Sequence, residues 1–173
     1  MTSDVDLAYN GIPRIGGFMN LLLNMQVTYK YNYDELIQQL IEVSRENIKR
    51  RRDRSVATTM NAMCSISMGR QTGKTTGIIE YAKRNPNGCI VITHNSSDVQ
   101  YKEELKDTNA VYMPIMSILT NPGSVRGLRG EYDFIFDECT TDNIQRVICN
   151  LRDFGLIGEN TITVRSILKV GDR

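Results

Sequence analysis

The sequence predicts an α/β protein with a mostly parallel sheet flanked by helices. Three observations carry that expectation. From Ala62 onward, short apolar or β-branched runs alternate with segments of helical period. A Gly-rich turn, Gly69 to Gly73, joins one such run to a helix-like segment. Farther on, Tyr132-Asp133-Phe134-Ile135-Phe136-Asp137-Glu138 is a short apolar run ending in two carboxylates, as a buried strand does when it delivers acids at its C-terminal tip.

The elements follow in order. In the first 33 residues, Asn10-Gly11-Ile12-Pro13 and Gly16-Gly17 mark turns, and Tyr29, Tyr31 and Tyr33 alternate with polar residues as in a short strand. Asp34 is placed to cap a helix in which Leu36, Ile37, Leu40, Ile41 and Ile48 recur at helical spacing, running to about Arg52 with one face on the core. The sequence thus divides into an N-terminal segment and helix, 1–54, and a core, 55–173, that together make one compact domain. The first core strand spans about Asn61–Met68, and a helix runs over Lys74–Arg84 until Asn85-Pro86-Asn87-Gly88 stops it. Cys89–Thr93 is a second strand, and capping residues in His94–Asp98 precede a helix near Val99–Lys106. Ala110–Met113 reads as a short strand, Pro114–Leu119 as a short helix, and Asn121-Pro122-Gly123 as a turn. After the acidic strand, Asn143–Phe154 is helical and Thr161–Leu168 is a β-branched last strand. Ligands of such sheets gather beyond the strands' C-terminal ends.

Composition narrows the possibilities. The chain has 173 residues, enough for one domain with a real core, and 40% hydrophobic and 24% charged residues are ordinary for a soluble globular protein. No apolar run reaches membrane-spanning length and the N-terminus lacks a secretory layout, so no membrane partner is expected. The four cysteines are scattered without metal-ligand spacing. Buried reduced thiols at Cys64 and Cys89 suit a cytoplasmic location, the host cytoplasm for a viral protein. A net charge of +1 supplies no large basic field. The local cluster Lys49–Arg54 reads first as a solvated helix end, with phosphate contact as the alternative. His94, the single histidine, reads first as a hydrogen-bonded loop residue and otherwise as a contact to nucleic acid or a γ-phosphate.

The turn carries the chemistry. Met68-Gly69-Arg70-Gln71-Thr72-Gly73-Lys74-Thr75-Thr76 ends in Gly-Lys-Thr between a strand and a helix, the arrangement in which backbone N–H groups and a helix N-terminus receive phosphates. Lys74 would reach the outer phosphates of ATP and Thr75 would coordinate Mg²⁺. The first glycine falls one position later than in the common pattern, at Gly69. Asp137, 63 residues beyond Lys74, would hold the Mg²⁺ shell, and Glu138 would orient and activate the attacking water. The alternative is that both acids cap a following helix.

With its Arg70-Gln71 pair, the loop Gly69–Thr76 resembles that of large terminase subunits, the DNA-packaging ATPases of tailed phages. The approach Ser124-Val125-Arg126-Gly127-Leu128-Arg129-Gly130, then Asp133, then Asp137-Glu138, is similar to terminases and some related helicases. The resemblance covers roughly residues 55–170. It implies a P-loop NTPase of the additional-strand, catalytic-glutamate (RecA-like) type. Gly69, Arg70, Gln71, Thr72, Gly73, Lys74, Thr75 and Thr76 would bind nucleotide, Thr75 and Asp137 the metal, and Glu138, Arg70 and Lys74 would act in catalysis. Arg70 would be an arginine finger supplied within the chain; a structural Arg70, with Arg126 or Arg129 acting in trans, is the other arrangement. The resemblance also implies a Ser/Thr-rich strand end that couples hydrolysis to movement, for which Thr161-Ile162-Thr163 is the candidate, and a nuclease domain, which does not follow in this sequence.

The function expected is Mg-dependent ATP hydrolysis coupled to movement of double-stranded DNA, with portal, capsid or other motor subunits as partners and a homo-oligomeric ring as the working form. Two alternatives stand beside it: a helicase or remodelling ATPase, and a regulatory NTP-binding protein acting on a protein partner.

Overall fold

Residues 32–51, 55–67, 73–94, 99–158 and 160–171 are described by the structure, a computed structural model. They belong to one compact unit, Asn32–Arg173. Its helices are α1 (Tyr33–Lys49), α2 (Val56–Asn61), α3 (Lys74–Arg84), α4 (Val99–Leu105), α5 (Ile115–Thr120) and α6 (Thr141–Asp153). Its strands are β1 (Cys64–Ile66), β2 (Cys89–Thr93), β3 (Val111–Pro114), β4 (Gly130–Asp137) and β5 (Ile162–Val170), and a 3₁₀ turn covers Pro122–Val125.

The five strands form one all-parallel sheet in the order β1-β5-β4-β2-β3. Side-chain alternation in β4 separates two cores. Tyr132, Phe134 and Phe136 enter the cluster built with Ile115 and Ile118 of α5 and Ile144, Val147, Ile148 and Leu151 of α6. Ile135 enters the cluster on the other face, with Ile37 and Ile41 of α1, Ile78, Ile79 and Tyr81 of α3, and Tyr101 and Leu105 of α4. A parallel sheet buried on both faces needs near-continuous apolar strands, and β2 is buried at all five of its residues.

Two stretches differ from the sequence expectation. Tyr33 is the first residue of α1 rather than part of a strand, and Asn32, not Asp34, occupies the cap position, without a side-chain hydrogen bond. The turn and strand signals at 10–31 lie outside the described residues. The first strand covers Cys64–Ile66 rather than Asn61–Met68, and Asn61 instead ends a helix, Val56–Asn61, that forms despite its β-branched residues. Ser55 decides this locally: its hydroxyl accepts from the Thr58 N–H at 3.1 Å and nucleates the turn.

Because β1 is short, β5 lacks a strand partner before Leu168 on that side. Ser44 of α1 substitutes: its buried hydroxyl accepts from the Ile167 N–H at 2.9 Å and donates to the Ala62 carbonyl at 2.8 Å. Just before this point in β5 the register slips between Tyr132 and Asp133 of β4, leaving Arg165 as the extra residue. Arg165 and Ser166, adjacent in sequence, therefore both reach Asp133.

Candidate functional site

The parallel arrangement brings the C-terminal ends of β1, β5, β4 and β2 into one row, and backbone bonds tie neighbouring tips together. The Gly171 N–H donates to Ile66 O at 2.9 Å, the Glu138 N–H to Val170 O at 2.8 Å, and the His94 N–H to Asp137 O at 3.2 Å. α3 starts at this edge. Gly73 holds its cap position at φ 84°, a left-handed conformation that glycine adopts without the strain a Cβ would bring. No side chain caps the helix there. Helix geometry leaves first-turn N–H groups, those of Thr75 and Thr76 among them, without acceptors inside the helix. Gly69, Arg70, Gln71 and Thr72 lie outside the described residues.

Lys74 and Glu138 meet across the row: Lys74 Nζ is 3.7 Å from Glu138 Oε1. The lysine is buried, whereas the Glu138 side chain is 40% exposed. Glu138 has φ 52°, left-handed backbone that costs a non-glycine residue about 1–3 kcal/mol and concentrates at functional sites. Neither acid caps a helix. Thr140 caps α6, its hydroxyl accepting from the Asn143 N–H at 3.2 Å, which removes the capping explanation for Asp137 and Glu138.

Asp137 is buried on the α3–α4 side of the sheet, where the Tyr101 hydroxyl donates to its Oδ2 at 2.9 Å. Tyr101 stacks on Tyr112 of β3, ring centroids 5.4 Å apart, and the Tyr112 hydroxyl lies 3.3 Å from Thr93 Oγ1. Sequence reasoning missed Tyr101 and Tyr112, since neither belongs to a motif and only the fold brings α4 and β3 behind the acidic tip. Cys139 secures the following turn, its thiol donating to the carbonyls of Asp137 and Ile92. Among the described residues, His94 Nδ1 is buried without a hydrogen-bond partner, while its backbone N–H is the bond that ties this loop to Asp137.

Three candidates fall elsewhere. Thr161-Ile162-Thr163 opens β5, where Ile162 pairs with Gly130, so it lies at the opposite edge from Glu138; the residues beside the acids are Val170, which ends β5, and Gly171, which follows it. Arg126 and Arg129 precede β4, and its eight residues put roughly 23 Å between them and Asp137 of the same chain. Asp133 is not part of the row. Fully buried, its carboxylate accepts from Arg45 (3.0 and 2.6 Å), Tyr81 (3.0 Å), Ser166 (2.7 Å) and Arg165 (3.1 Å through Nε). Burial alone would raise its pKa, but the bonds from Arg45, Arg165 and Ser166 outweigh burial and hold it at about 2. Asp133 in turn holds both guanidinium groups above their ordinary pKa, while burial, then Asp133, drives the Tyr81 phenol up.

Of the expected metal ligands, Thr75 stands in the first turn of α3 and Asp137 ends β4 at this same edge of the sheet. Magnesium at phosphates takes one or two protein oxygens and keeps waters for the rest. No group of three acidic, histidine or cysteine side chains able to cage a metal occurs among the described residues, and a site made of Thr75, Asp137 and phosphate does not need one. No helix among the described residues is long and apolar enough to cross a membrane. Comparison with protein-family models, with curated proteins and with solved structures found no match.

Proposed function

We propose that this chain is a Mg-dependent ATPase of the P-loop, additional-strand type, and that its hydrolysis moves double-stranded DNA as in a viral packaging motor. The observation that supports it most is the approach of Lys74 to Glu138, which joins the two halves of the sequence motif. The insertion of β5 between β1 and β4 supports the additional-strand type. The DNA load rests on the likeness of Gly69–Thr76 to terminase loops.

In this reading the first turn of α3 receives the β- and γ-phosphates and Lys74 offsets their charge. Thr75 and Asp137 hold Mg²⁺, which when bound neutralises charge on the phosphate oxygens. Glu138 takes a proton from water as the water oxygen bonds to the γ-phosphorus. The bond from that phosphorus to the bridging oxygen breaks, its electron pair stays with ADP, and phosphate leaves. Arg70 stabilises the charge that develops on the γ-phosphoryl group.

An ATPase assay with duplex DNA, with single-stranded DNA and without DNA tests the proposal. The expected result is turnover stimulated by duplex, lost in Lys74→Ala together with nucleotide binding, and reduced about 10²-fold or more in Glu138→Gln with binding kept. Turnover indifferent to any DNA would sink the DNA load. Stimulation by single strands with unwinding would replace it by a helicase. Full activity of Glu138→Gln would remove the assigned base.

A further inference from the structure

The tip of β5 carries a residue that the proposed chemistry does not yet use. Gly171 follows the strand at φ 102° and is itself buried. The Glu138 carboxylate rests on it: a Cβ at position 171 would stand 2.7 Å from Glu138 Cδ and 2.8 and 3.0 Å from its two oxygens. Both backbones are pinned, Gly171 to Ile66 of β1 and Glu138 to Val170 of β5, so neither tip can withdraw without breaking a bond between strand ends. The carboxylate thus occupies a slot between Lys74 and the α-carbon of residue 171, one oxygen 3.7 Å from the ammonium.

We infer that Gly171 is the positioning residue for Glu138: its missing side chain is the seat that holds the general base at the phosphate-binding lysine, in register for water at the γ-phosphate. The inference rests on the hydrolytic reading above. Any larger residue is strained at φ 102° and must besides clear the carboxylate, for which two responses are open. The pinned backbones resist movement, whereas the carboxylate ends a flexible, partly exposed side chain, so Glu138 is what moves. A general base contributes about 10²–10⁴-fold and only within hydrogen-bond reach of its proton, so displacement lowers the rate more than it lowers binding.

The test is a cycle of Gly171→Ala and Glu138→Ala, read by single-turnover hydrolysis, by equilibrium Kd for Mg-ATP and by thermal unfolding. Gly171→Ala is expected to slow hydrolysis by at least about tenfold while Kd moves less than about threefold. In the Glu138→Ala background it should alter the residual rate less than about twofold, and its thermal penalty should shrink because no carboxylate covers residue 171. Gly171→Asn, which tolerates positive φ better yet keeps a Cβ, should remain slow. Normal hydrolysis by Gly171→Ala overturns the inference, as does recovery in Gly171→Asn, loss of binding in step with rate, or an equal slowing in the Glu138→Ala background. A wild-type chain without turnover refutes the hydrolytic reading and this role with it; wild-type turnover with an unaffected Gly171→Ala refutes this role alone.

Discussion

Glu138 and Asp137 are adjacent in sequence but are treated differently by the fold. Asp137, the last residue of β4, is buried and tied to Tyr101, which suits a carboxylate that must present fixed oxygens to a cation. Glu138, one residue later at φ 52°, turns out of the strand and stands half-exposed beside Lys74, which suits a group that must exchange a proton with water. This division gives a residue-scale prediction. Tyr101→Phe keeps the stack on Tyr112 but removes the hydroxyl from Asp137 Oδ2, so the Mg²⁺ concentration for half-maximal hydrolysis should rise roughly tenfold with little change in the saturated rate. A magnesium titration checks it, and an unchanged midpoint would detach Tyr101 from the metal-binding role proposed for Asp137.

At the scale of elements, the start of α3 is set by how closely α1 lies on it. Gly77 sits one turn into α3, where a Cβ would stand 2.7 Å from Tyr33 Cβ and 3.1 Å from the Tyr33 carbonyl carbon. Since one obstacle is backbone, α1 would have to lift. In an open helix Gly→Ala gains nearly 1 kcal/mol, but overpacking against backbone, in the upper part of the usual range at about 2–3 kcal/mol, opposes it. Gly77→Ala is therefore expected to lose about 1–2 kcal/mol in denaturant unfolding. A variant as stable as wild type would show that α1 is not seated on this glycine. Local signals specified most elements: α3 and β2 have the limits that Pro86-Asn87-Gly88 and the apolar run Cys89–Thr93 suggest. The helix α2, which the sequence reading left unassigned, has a local cause too, since the Ser55 cap overrides the low helix propensity of Val56, Thr58 and Thr59.

Across the whole molecule, Asp133 joins α1, α3, β4 and β5 through Arg45, Tyr81, Arg165 and Ser166. Its folded pKa of about 2 lies below the ordinary 3.8, so its stabilisation is present above that ordinary value and disappears as the pH falls from about 4 towards 2. The shift corresponds to about 2 kcal/mol. Acid unfolding followed by circular dichroism should show this loss, and Asp133→Asn should be destabilised by about 3–5 kcal/mol at neutral pH because it strands two guanidinium groups. If Asp133→Asn unfolds at the wild-type denaturant midpoint, the cluster does not hold the elements together.

Read alone, the sequence determined the alternation of strands and helices, the Gly-Lys-Thr turn at Lys74 and the acidic strand end at Asp137-Glu138, because periodicity, caps and motif chemistry act over a few residues. It did not determine that β5 enters between β1 and β4, that Arg165 bulges so that Asp133 gathers two arginines, or that Tyr101 and Gly171 come to lie against the two acids. Those depend on which strand pairs with which over long separations. That choice follows from how the whole set of apolar faces is buried, and no short window of sequence contains it.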